Sequence, residues 1–163
     1  LVIASYVFTE LPSNEARRTA LVSLWKHTAI GGMLVIVEPG TPVGFKVIKD
    51  ARELLLRSKL ASDVEVIAPC CHSNACPMER SSWCHFPQRV YRTSWQLATK
   101  QDASINWEDE KYSYIILHKP SSANTTKRSN KYDSKLWGRV VEHLKKRGGH
   151  VSLKSCDSSA FLV

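Results

Sequence analysis

The 163-residue sequence lacks any long apolar segment and any familiar catalytic motif. Its two longest nearly apolar runs, Leu1–Val7 and Met33–Val37, are far shorter than the ~20 residues of a membrane-spanning helix, so we expect no membrane partner. There is no initiator Met and no visible signal peptide, and the chain opens directly on a strand-like run, so we expect further sequence upstream. The chain has no P-loop, and no Ser/His/Asp arrangement can be argued from it. The sequence therefore gives no support for nucleotide hydrolysis at a P-loop or for hydrolysis by a serine triad.

Positive charge is concentrated in one part of the chain. The net charge is +8, and the segment Lys119–Lys154 holds ten basic residues against only Asp133 and Glu142, which leaves +8 in that segment alone. The rest of the chain is therefore close to neutral. A localised basic segment favours a polyanionic partner, with an ordinary solvated surface as the simpler alternative. The candidate RNA-binding residues are Lys127, Arg128, Lys145, Lys146 and Arg147.

Three apolar runs predict the strands of a parallel sheet. The first, Leu1–Phe8, is rich in β-branched and aromatic residues, which is typical of a strand buried on both faces. Met33–Val37 and Val64–Ala68 predict two further strands. Helical periodicity lies between these runs, with Ser13 as a suitable N-cap for the first helix and Thr41 for the second. The alternation of strand and helix predicts an α/β fold with a parallel sheet.

The second half of the chain has a less regular pattern. In Cys70–Arg92, Cys, His, Pro, Ser and Trp replace periodic hydrophobicity, so no regular element is predicted there. Tyr112–Leu117 has strand character, a short helix is predicted over Ser134–Lys146, and a last strand over His150–Leu153. We therefore divide the chain into sheet-forming residues 1–69, a cysteine-rich insertion at 70–92, and remaining strands at 93–163 that include the basic segment 119–154.

Four of the five cysteines fall within 15 residues. Cys70, Cys76 and Cys84 are separated by five and then seven residues, and Cys156 follows a predicted strand that a sheet could bring beside them. Four thiolates from a loop and one distant position suit a Cys₄ site, either iron–sulfur or structural zinc. The spacings are wide for zinc, whose paired ligands usually have two to four residues between them, and this favours iron–sulfur.

The neighbours of these cysteines leave the ligand set open. Cys71 could replace Cys70 as a ligand, and His72 and His85 could complete a mixed Cys/His zinc site. Ordinary buried thiols are the simplest alternative, because a free cysteine behaves as a small hydrophobic residue. The clustering of cysteines in a Pro- and His-rich loop argues against that alternative.

Seven short segments occur in an order that resembles a known family. They are Glu10–Ser13, Val37–Pro42, Ala68–Cys70, Ala75–Pro77, Trp83–Phe86, Gln88–Arg89 and Glu108–Lys111. From Leu1 to about Cys156 the chain resembles the methyltransferase-like family of the mitochondrial small ribosomal subunit, a subunit protein in fungi and an assembly factor in animals. The resemblance implies the C-terminal half of a class I methyltransferase-like (Rossmann-like) sheet with a cysteine-rich metal-binding insertion. It also implies a location in the mitochondrial matrix.

The resemblance also implies a cofactor and partners. It implies a 4Fe–4S cluster on Cys70, Cys76, Cys84 and Cys156, with structural zinc as the alternative. In the family's usual pattern a proline follows the first of these cysteines, whereas this chain has Cys71, so either Cys70 or Cys71 could be the ligand. The implied partners are small-subunit ribosomal RNA, neighbouring mitochondrial ribosomal proteins and a chain that carries a missing N-terminal half.

Three functions follow from these observations. The leading hypothesis is a component or assembly factor of the mitochondrial small ribosomal subunit that binds ribosomal RNA and carries a cluster, without catalysis. In class I methyltransferases, S-adenosylmethionine sits on a Gly-rich turn after the first strand, and this chain resembles the fold only from its fourth strand onwards. The second hypothesis is therefore an S-adenosylmethionine-dependent RNA methyltransferase whose cofactor-binding half is missing from this chain. The third is a zinc-stabilised interaction module with no RNA partner.

Overall fold

The computed structural model describes residues 1–58, 64–78, 82–99, 105–121, 137–142 and 144–158. The main sheet contains β1 (Val2–Ser5), β2 (Met33–Pro39), β3 (Glu65–Ala68), β4 (Phe86–Tyr91) and β5 (Trp107–His118). The helices are α1 (Asn14–His27), α2 (Pro42–Arg57) and α3 (Ser94–Thr99). Two small two-stranded sheets follow, one of β6 (Arg139–Val140) with β9 (Ser155–Cys156) and one of β7 (Lys145–Arg147) with β8 (His150–Ser152).

The main sheet is mixed rather than parallel. Its strand order is β1-β2-β5-β3, and β4 pairs with the same edge of β5 as β3 does. β1 and β2 are parallel, whereas β5 is antiparallel to β2, β3 and β4. The α/β class is confirmed, and the arrangement is consistent with a Rossmann-like fold. The first three strands run in one direction, as expected for a parallel sheet. The expectation that β2 and β3 are neighbours is wrong, because β5 lies between them.

The edge strand β1 is more exposed than its sequence predicts. Ala4 is buried, but Leu1 and Ile3 are 79% and 60% exposed. Among the described residues β1 pairs only with β2, so its other edge carries backbone groups without a strand partner. The prediction of burial on both faces is therefore wrong for the part of the chain that the structure describes. Apolar composition shows that a strand can be buried but not which neighbours bury it.

Both main helices begin where local sequence signals place them. The Ser13 side chain accepts a hydrogen bond from the Ala16 backbone N–H, and the Thr41 side chain accepts one from the Gly44 N–H. Pro42 occupies the first position of α2, where its missing N–H has no cost. These predictions are confirmed because capping depends only on residues a few positions apart.

The main core lies between the helices and one face of the sheet. Alternate residues of β2 and β5 point into it, and Leu34 and Ile36 lie directly opposite Leu117 and Ile115. The helices contribute Leu21, Trp25, Val47, Ile48, Ala51 and Leu55 to the same cluster. Phe45 of α2 packs instead against a second cluster around the cysteines. The chain therefore has a second centre of packing beside the sheet.

Glu38 in β2 is fully buried and holds the loop that follows β1. Its carboxylate accepts hydrogen bonds from the backbone N–H groups of Val7 at 3.1 Å, Phe8 at 2.8 Å and Thr9 at 3.2 Å. It also accepts a bond of 2.7 Å from the Thr9 hydroxyl. Three of these four bonds satisfy backbone N–H groups in the loop after β1 that would otherwise have no partner.

We expect Glu38→Ala to lower the free energy of unfolding by about 3 kcal/mol or more, because it leaves one buried and two partly buried N–H groups unsatisfied. Urea denaturation followed by circular dichroism measures this change. The matched control is Glu10→Ala, which removes an exposed carboxylate from the same loop and should change stability by less than about 0.5 kcal/mol. Equal stabilities of the two variants would contradict a role for Glu38 in holding the loop.

Two predictions for the second half of the chain are wrong. The predicted helix over Ser134–Lys146 contains β6 and the start of β7 where the structure describes it, because both segments pair with strands later in the chain. Gly148 and Gly149 form the turn of the β7–β8 hairpin, and Gly148 has a φ of +53°. The stretch Cys70–Arg92, expected to be irregular, contains β4, whose largely exposed residues carry no hydrophobic alternation.

Candidate functional site

The cysteine-rich loop, residues 69–85, leaves and rejoins the sheet on one edge of β5. Ala68 at the end of β3 lies opposite Ile116, and Phe86 at the start of β4 lies opposite Tyr112. The two ends of a long connection are therefore close together in space. This arrangement holds the loop beside the middle of β5, where the Ser113 hydroxyl donates a 2.8 Å hydrogen bond to the carbonyl oxygen of Cys84.

The small β6–β9 sheet brings the distant cysteine to this loop. Cys156 in β9 lies opposite Arg139 in β6, and the Val141 N–H donates to the Lys154 carbonyl at 3.0 Å. The His85 N–H then donates to the Val141 carbonyl at 3.0 Å, which links the small sheet to the loop. Cys156 does reach the other cysteines, but not from the end of the predicted strand His150–Leu153, which is β8 and pairs with β7; it lies in a further strand, β9, that pairs with β6.

One pocket brings together the four cysteines expected from the sequence. Cys70, Cys76, Cys84 and Cys156 all line it. Its volume of about 40 Å³ exceeds the roughly 10–15 Å³ that a single water requires, so it is more than a packing defect. Further lining comes from Phe45, Ile48, Lys49, Arg52, Pro69, His72, Pro77, Met78, Ser113, Tyr114, Ile115, Arg139 and Val141. The walls are thus mainly apolar and sulfur atoms, with basic side chains at the border.

Cys71 occupies a different position from Cys70. It is buried, does not line the pocket, and its Sγ donates to the Cys156 carbonyl oxygen at 3.4 Å. Cys70 is the member of this pair that lines the pocket. All five cysteines are free thiols. Geometry therefore separates two neighbouring residues that the sequence could not distinguish.

The two histidines of the loop also differ from each other. His72 lines the pocket, and its Nε2 lies 3.3 Å from the Cys156 Sγ. His85 does not line the pocket, and its Nδ1 lies 3.1 Å from the Trp83 carbonyl oxygen. Among the described residues, no three His, Cys, Asp or Glu side chains converge in the manner of ligands to one metal ion.

Burial dominates the electrostatics of the thiols. It raises the pKa of Cys70, an effect that the nearby Arg52 guanidinium partly opposes. Burial likewise raises the pKa of Cys84, and it raises that of Cys156 to about 12, with the neighbouring cysteines adding to both shifts. The pKa of His72 is lowered by burial and then by Arg52. Without a metal these thiols are therefore protonated at neutral pH, and any metal that bound them as thiolates would release protons.

Sequence reasoning missed Arg52 on α2, which holds the start of the loop. Arg52 is 3% exposed, and its Nη2 donates to the carbonyl oxygens of His72 and Asn74, both at 2.8 Å. A signal was present, because Arg52 lies four residues after Ile48 and three before Leu55, on the apolar stripe of the helix. A charged residue on such a stripe requires a partner in the folded protein.

Trp83 fixes the other end of the loop. Its Nε1 donates to the Gly40 carbonyl oxygen at 2.8 Å, just before α2 begins. Gly40 itself packs against the Lys111 backbone, where a Cβ atom would approach to 2.6 Å. The indole therefore ties the cysteine-rich loop to the junction between β2 and α2.

The basic candidates divide into described and undescribed residues. Lys127 and Arg128 lie outside the described residues. Lys145, Lys146 and Arg147 form the exposed strand β7 and pair with Ser152, Val151 and His150 of β8. Because side chains alternate along a strand, Arg147 and Lys145 share one face of the hairpin and Lys146 lies on the other.

Several cations of the basic segment have partners within the protein. Lys119 donates to the Trp25 and Thr28 carbonyl oxygens at the end of α1, at 3.1 and 2.9 Å. The ammonium groups of Lys145 and Lys154 each lie 3.6 Å from a Glu142 carboxylate oxygen. Lys146 and Arg147 have no acidic partner within the part of the chain that the structure describes. They are the cations of the hairpin with the most freedom to bind an anion.

Glu108 and Asp109 at the start of β5 form ion pairs with arginines in β4 or just after its end. Asp109 pairs with Arg89 at 2.9 Å, and Glu108 pairs with Arg92 at 3.2 Å. The Arg89 guanidinium also lies 3.5 Å from the centroid of the Trp107 ring. These contacts join β4 to β5 and leave no need for a catalytic role of these carboxylates. No helix within the described residues is both long and apolar enough to cross a membrane.

The fold and the site together define an α/β protein with a mixed sheet, consistent with a Rossmann-like fold, a four-cysteine pocket and an exposed basic hairpin. Residues 1–162 match the family described as mitochondrial small ribosomal subunit Rsm22, and the chain belongs to that family. The resemblance drawn from the seven short segments is confirmed.

Three relatives illustrate this membership. The human ribosome assembly protein METTL17, mitochondrial, is 31% identical over 163 residues, covering 96% of this chain and 32% of the relative. The Schizosaccharomyces pombe Rsm22-cox11 tandem protein 2, mitochondrial, is 32% identical over 189 residues, covering 99% and 25%. The Saccharomyces cerevisiae ribosome assembly protein RSM22, mitochondrial, is 24% identical over 219 residues, covering 82% and 35%. The chain spans about a quarter to a third of the length of these relatives.

Proposed function

We propose that this chain acts in the mitochondrial matrix as a component or assembly factor of the small ribosomal subunit. In this proposal it binds ribosomal RNA and carries an iron–sulfur cluster, without catalysing methyl transfer. The observation that carries the proposal is a four-cysteine pocket in a chain that belongs, over almost its whole length, to the Rsm22 family. The names of the human and Saccharomyces cerevisiae relatives describe ribosome assembly proteins of mitochondria, which supports the cellular process.

The donor set of the pocket fits a metal–thiolate group. Cys70, Cys76, Cys84 and Cys156 would supply four thiolates, which is the ligand set of a 4Fe–4S cluster and also of a structural zinc ion. Four sulfurs around one zinc ion, each at ~2.3 Å from it, must converge on a single point. The wide spacings between the three cysteines of the loop favour the cluster, because paired zinc ligands usually have two to four residues between them. When bound, the group would cross-link the loop to β9.

The exposed basic hairpin supports RNA as the partner. Lys146 and Arg147 are exposed and lie outside the internal ion pairs of the segment. Lysine and arginine on such a strand bind phosphate groups without reading base sequence, which suits a protein held on structured RNA. We propose that the hairpin contacts the sugar–phosphate backbone of small-subunit RNA, with Lys127 and Arg128 contributing from outside the described residues.

The free edge of β1 supports the proposal that this chain is the C-terminal half of a larger methyltransferase-like sheet. Leu1 and Ile3 are exposed beside strand backbone that has no strand partner among the described residues, and an exposed apolar edge favours pairing with another strand. The relatives are three to four times longer than the segment they share with this chain. A strand from their additional sequence, or from a second chain, would extend the sheet at β1.

The alternative is an S-adenosylmethionine-dependent RNA methyltransferase completed by that missing half. No specific observation among the described residues favours it over the non-catalytic role. Glu38, at the end of β2 where a Rossmann-like sheet binds its ligands, already uses both carboxylate oxygens on the loop after β1. We therefore place the structural and RNA-binding role first.

Sedimentation tests the proposed function directly. The purified protein should co-sediment with mitochondrial small ribosomal subunits, or with their assembly intermediates, and not with large subunits at the same concentration and salt. The physical reason is that a specific site requires a defined RNA surface, whereas charge alone attracts any RNA. Equal recovery with both subunits would indicate only non-specific attraction, and no recovery with either would contradict the proposal.

A further inference from the structure

Two arginines, Arg52 and Arg139, line the cysteine pocket, and the proposed four-cysteine ligand set assigns them no role. We propose that Arg52 and Arg139 are the counter-charges of the metal–thiolate centre and that they raise its reduction potential. This inference rests on the proposed function, because it assigns roles to residues around the proposed cluster. It concerns positioning and electrostatics, and neither arginine is a metal ligand.

Arg52 approaches the pocket from α2. Its Nη2 donates hydrogen bonds to the carbonyl oxygens of His72 and Asn74, and the residue is almost completely buried. Its Nε is also buried, but it has no hydrogen-bond partner among the described residues. A buried guanidinium with an unused donor is costly unless a negative charge lies nearby. The side chain lines the pocket, where thiolates would supply that charge.

Arg139 approaches the pocket from β6. It lies opposite Cys156 in the small sheet and lines the pocket together with Cys70, Cys76 and Cys84. Its Nε is buried and likewise lacks a hydrogen-bond partner within the described part of the chain. Two arginines from different elements, each with an unused buried donor, therefore border the same pocket. This coincidence indicates an anionic occupant.

The charges of the proposed centre match this arrangement. Four thiolates around a cluster core of charge 2+ carry a net charge of about −2, which the two guanidinium groups and the Lys49 ammonium, also in the pocket lining, offset. Reduction adds one electron to the cluster and makes the centre more negative by one unit. Nearby positive charge stabilises the reduced form more than the oxidised form, so loss of either arginine should lower the reduction potential.

The test is a potentiometric titration of the anaerobically purified protein, with dithionite as the electron donor and the EPR signal of the reduced cluster as the readout. For Arg139→Met, we expect the ratio of reduced to oxidised cluster at a fixed potential to fall about tenfold, or about 59 mV for a one-electron couple. Arg52→Met should shift the potential in the same direction, and Arg52→Lys should restore much of it because the charge remains.

The matched control is Arg57→Met, which removes the same charge from an exposed position in the last turn of α2. A purely structural role of Arg52 or Arg139 would lower thermal stability or metal content but would leave the potential of the remaining cluster unchanged. Arg139→Met is the cleaner variant, because Arg52 also supports the loop backbone.

The possible results distinguish failure of the counter-charge role from failure of the proposed metal centre. A cluster-containing parent whose Arg139→Met and Arg52→Met variants keep the parental potential overturns the counter-charge role and leaves the proposed function intact. A shift equal to that of Arg57→Met overturns it as well. A parent that binds zinc also overturns this inference, because Zn²⁺ has no redox chemistry and its centre has no reduction potential for the arginines to raise. A parent without bound metal overturns both the proposed centre and this inference.

Discussion

Cys156→Ser is expected to remove most of the bound metal and to destabilise the fold. Cys156 is the donor that comes from outside the loop, on β9, so its thiolate would join two parts of the chain that are far apart in sequence. Because metal binding and folding are coupled, loss of this ligand should cost about 3 kcal/mol or more. For a chain of this size, that corresponds to a decrease in Tm of roughly 6–12 °C. Iron analysis and thermal denaturation measure the two effects.

Cys71→Ser is the matched control for this prediction. Cys71 is as buried as Cys156 and contacts its carbonyl oxygen, but it does not line the pocket. The control protein should therefore keep its metal, with only the modest destabilisation of a buried polar substitution. Full metal retention by Cys156→Ser would refute the ligand assignment. Equal metal loss in both variants would indicate that packing, rather than ligation, explains the effect.

Replacement of Lys145, Lys146 and Arg147 by alanine is expected to weaken binding to small-subunit RNA by about tenfold or more at physiological salt. Each lysine or arginine on a phosphate releases condensed counterions, so the slope of log K against log salt should become less negative by about 2–3. The exposed hairpin lies outside both packing clusters, so circular dichroism should show an unchanged fold. Filter binding across a salt series measures affinity and slope together.

A second triple variant separates local contact from net charge. Lys26, Lys46 and Arg57 are exposed on α1 and α2, and their replacement by alanine removes the same total charge. This control should keep most of the affinity and most of the salt dependence. If both triple variants lose affinity equally, RNA responds only to overall charge. If the hairpin variant binds as tightly as the parent at every salt concentration, the RNA surface lies elsewhere.

Local features of the fold were predictable from the sequence, and long-range pairing was not. Ser13 and Thr41 cap their helices through bonds to residues three positions away, so the signal and the structure are contained in the same short segment. The insertion of β5 between β2 and β3 depends on pairing between residues 48 to 85 positions apart, which periodicity cannot report. The same limit explains the wrong helix prediction for the segment that contains β6 and part of β7.

The candidate site shows a similar division. The cysteine spacing identified the four residues that line one pocket, because clustered cysteines in a long irregular loop have few structural explanations. The sequence could not tell which of Cys70 and Cys71 lines the pocket, because that depends on the direction of the backbone after β3. Arg52 was detectable as a charge on an apolar helix stripe, but its partners lie in a loop 20 and 22 residues away. Arg139 carried no signal, because only the pairing of β6 with β9 places it beside the pocket.

The metal content and visible spectrum of the anaerobically purified protein test the central claim most directly. The account predicts a brown protein with broad absorbance in the visible blue and with roughly four iron and four sulfide ions per chain. A colourless protein with one tightly bound zinc ion would contradict the iron–sulfur cluster while keeping a four-cysteine site. A protein without metal, although folded and purified without oxygen, would contradict the proposal that the cysteine pocket is a metal centre.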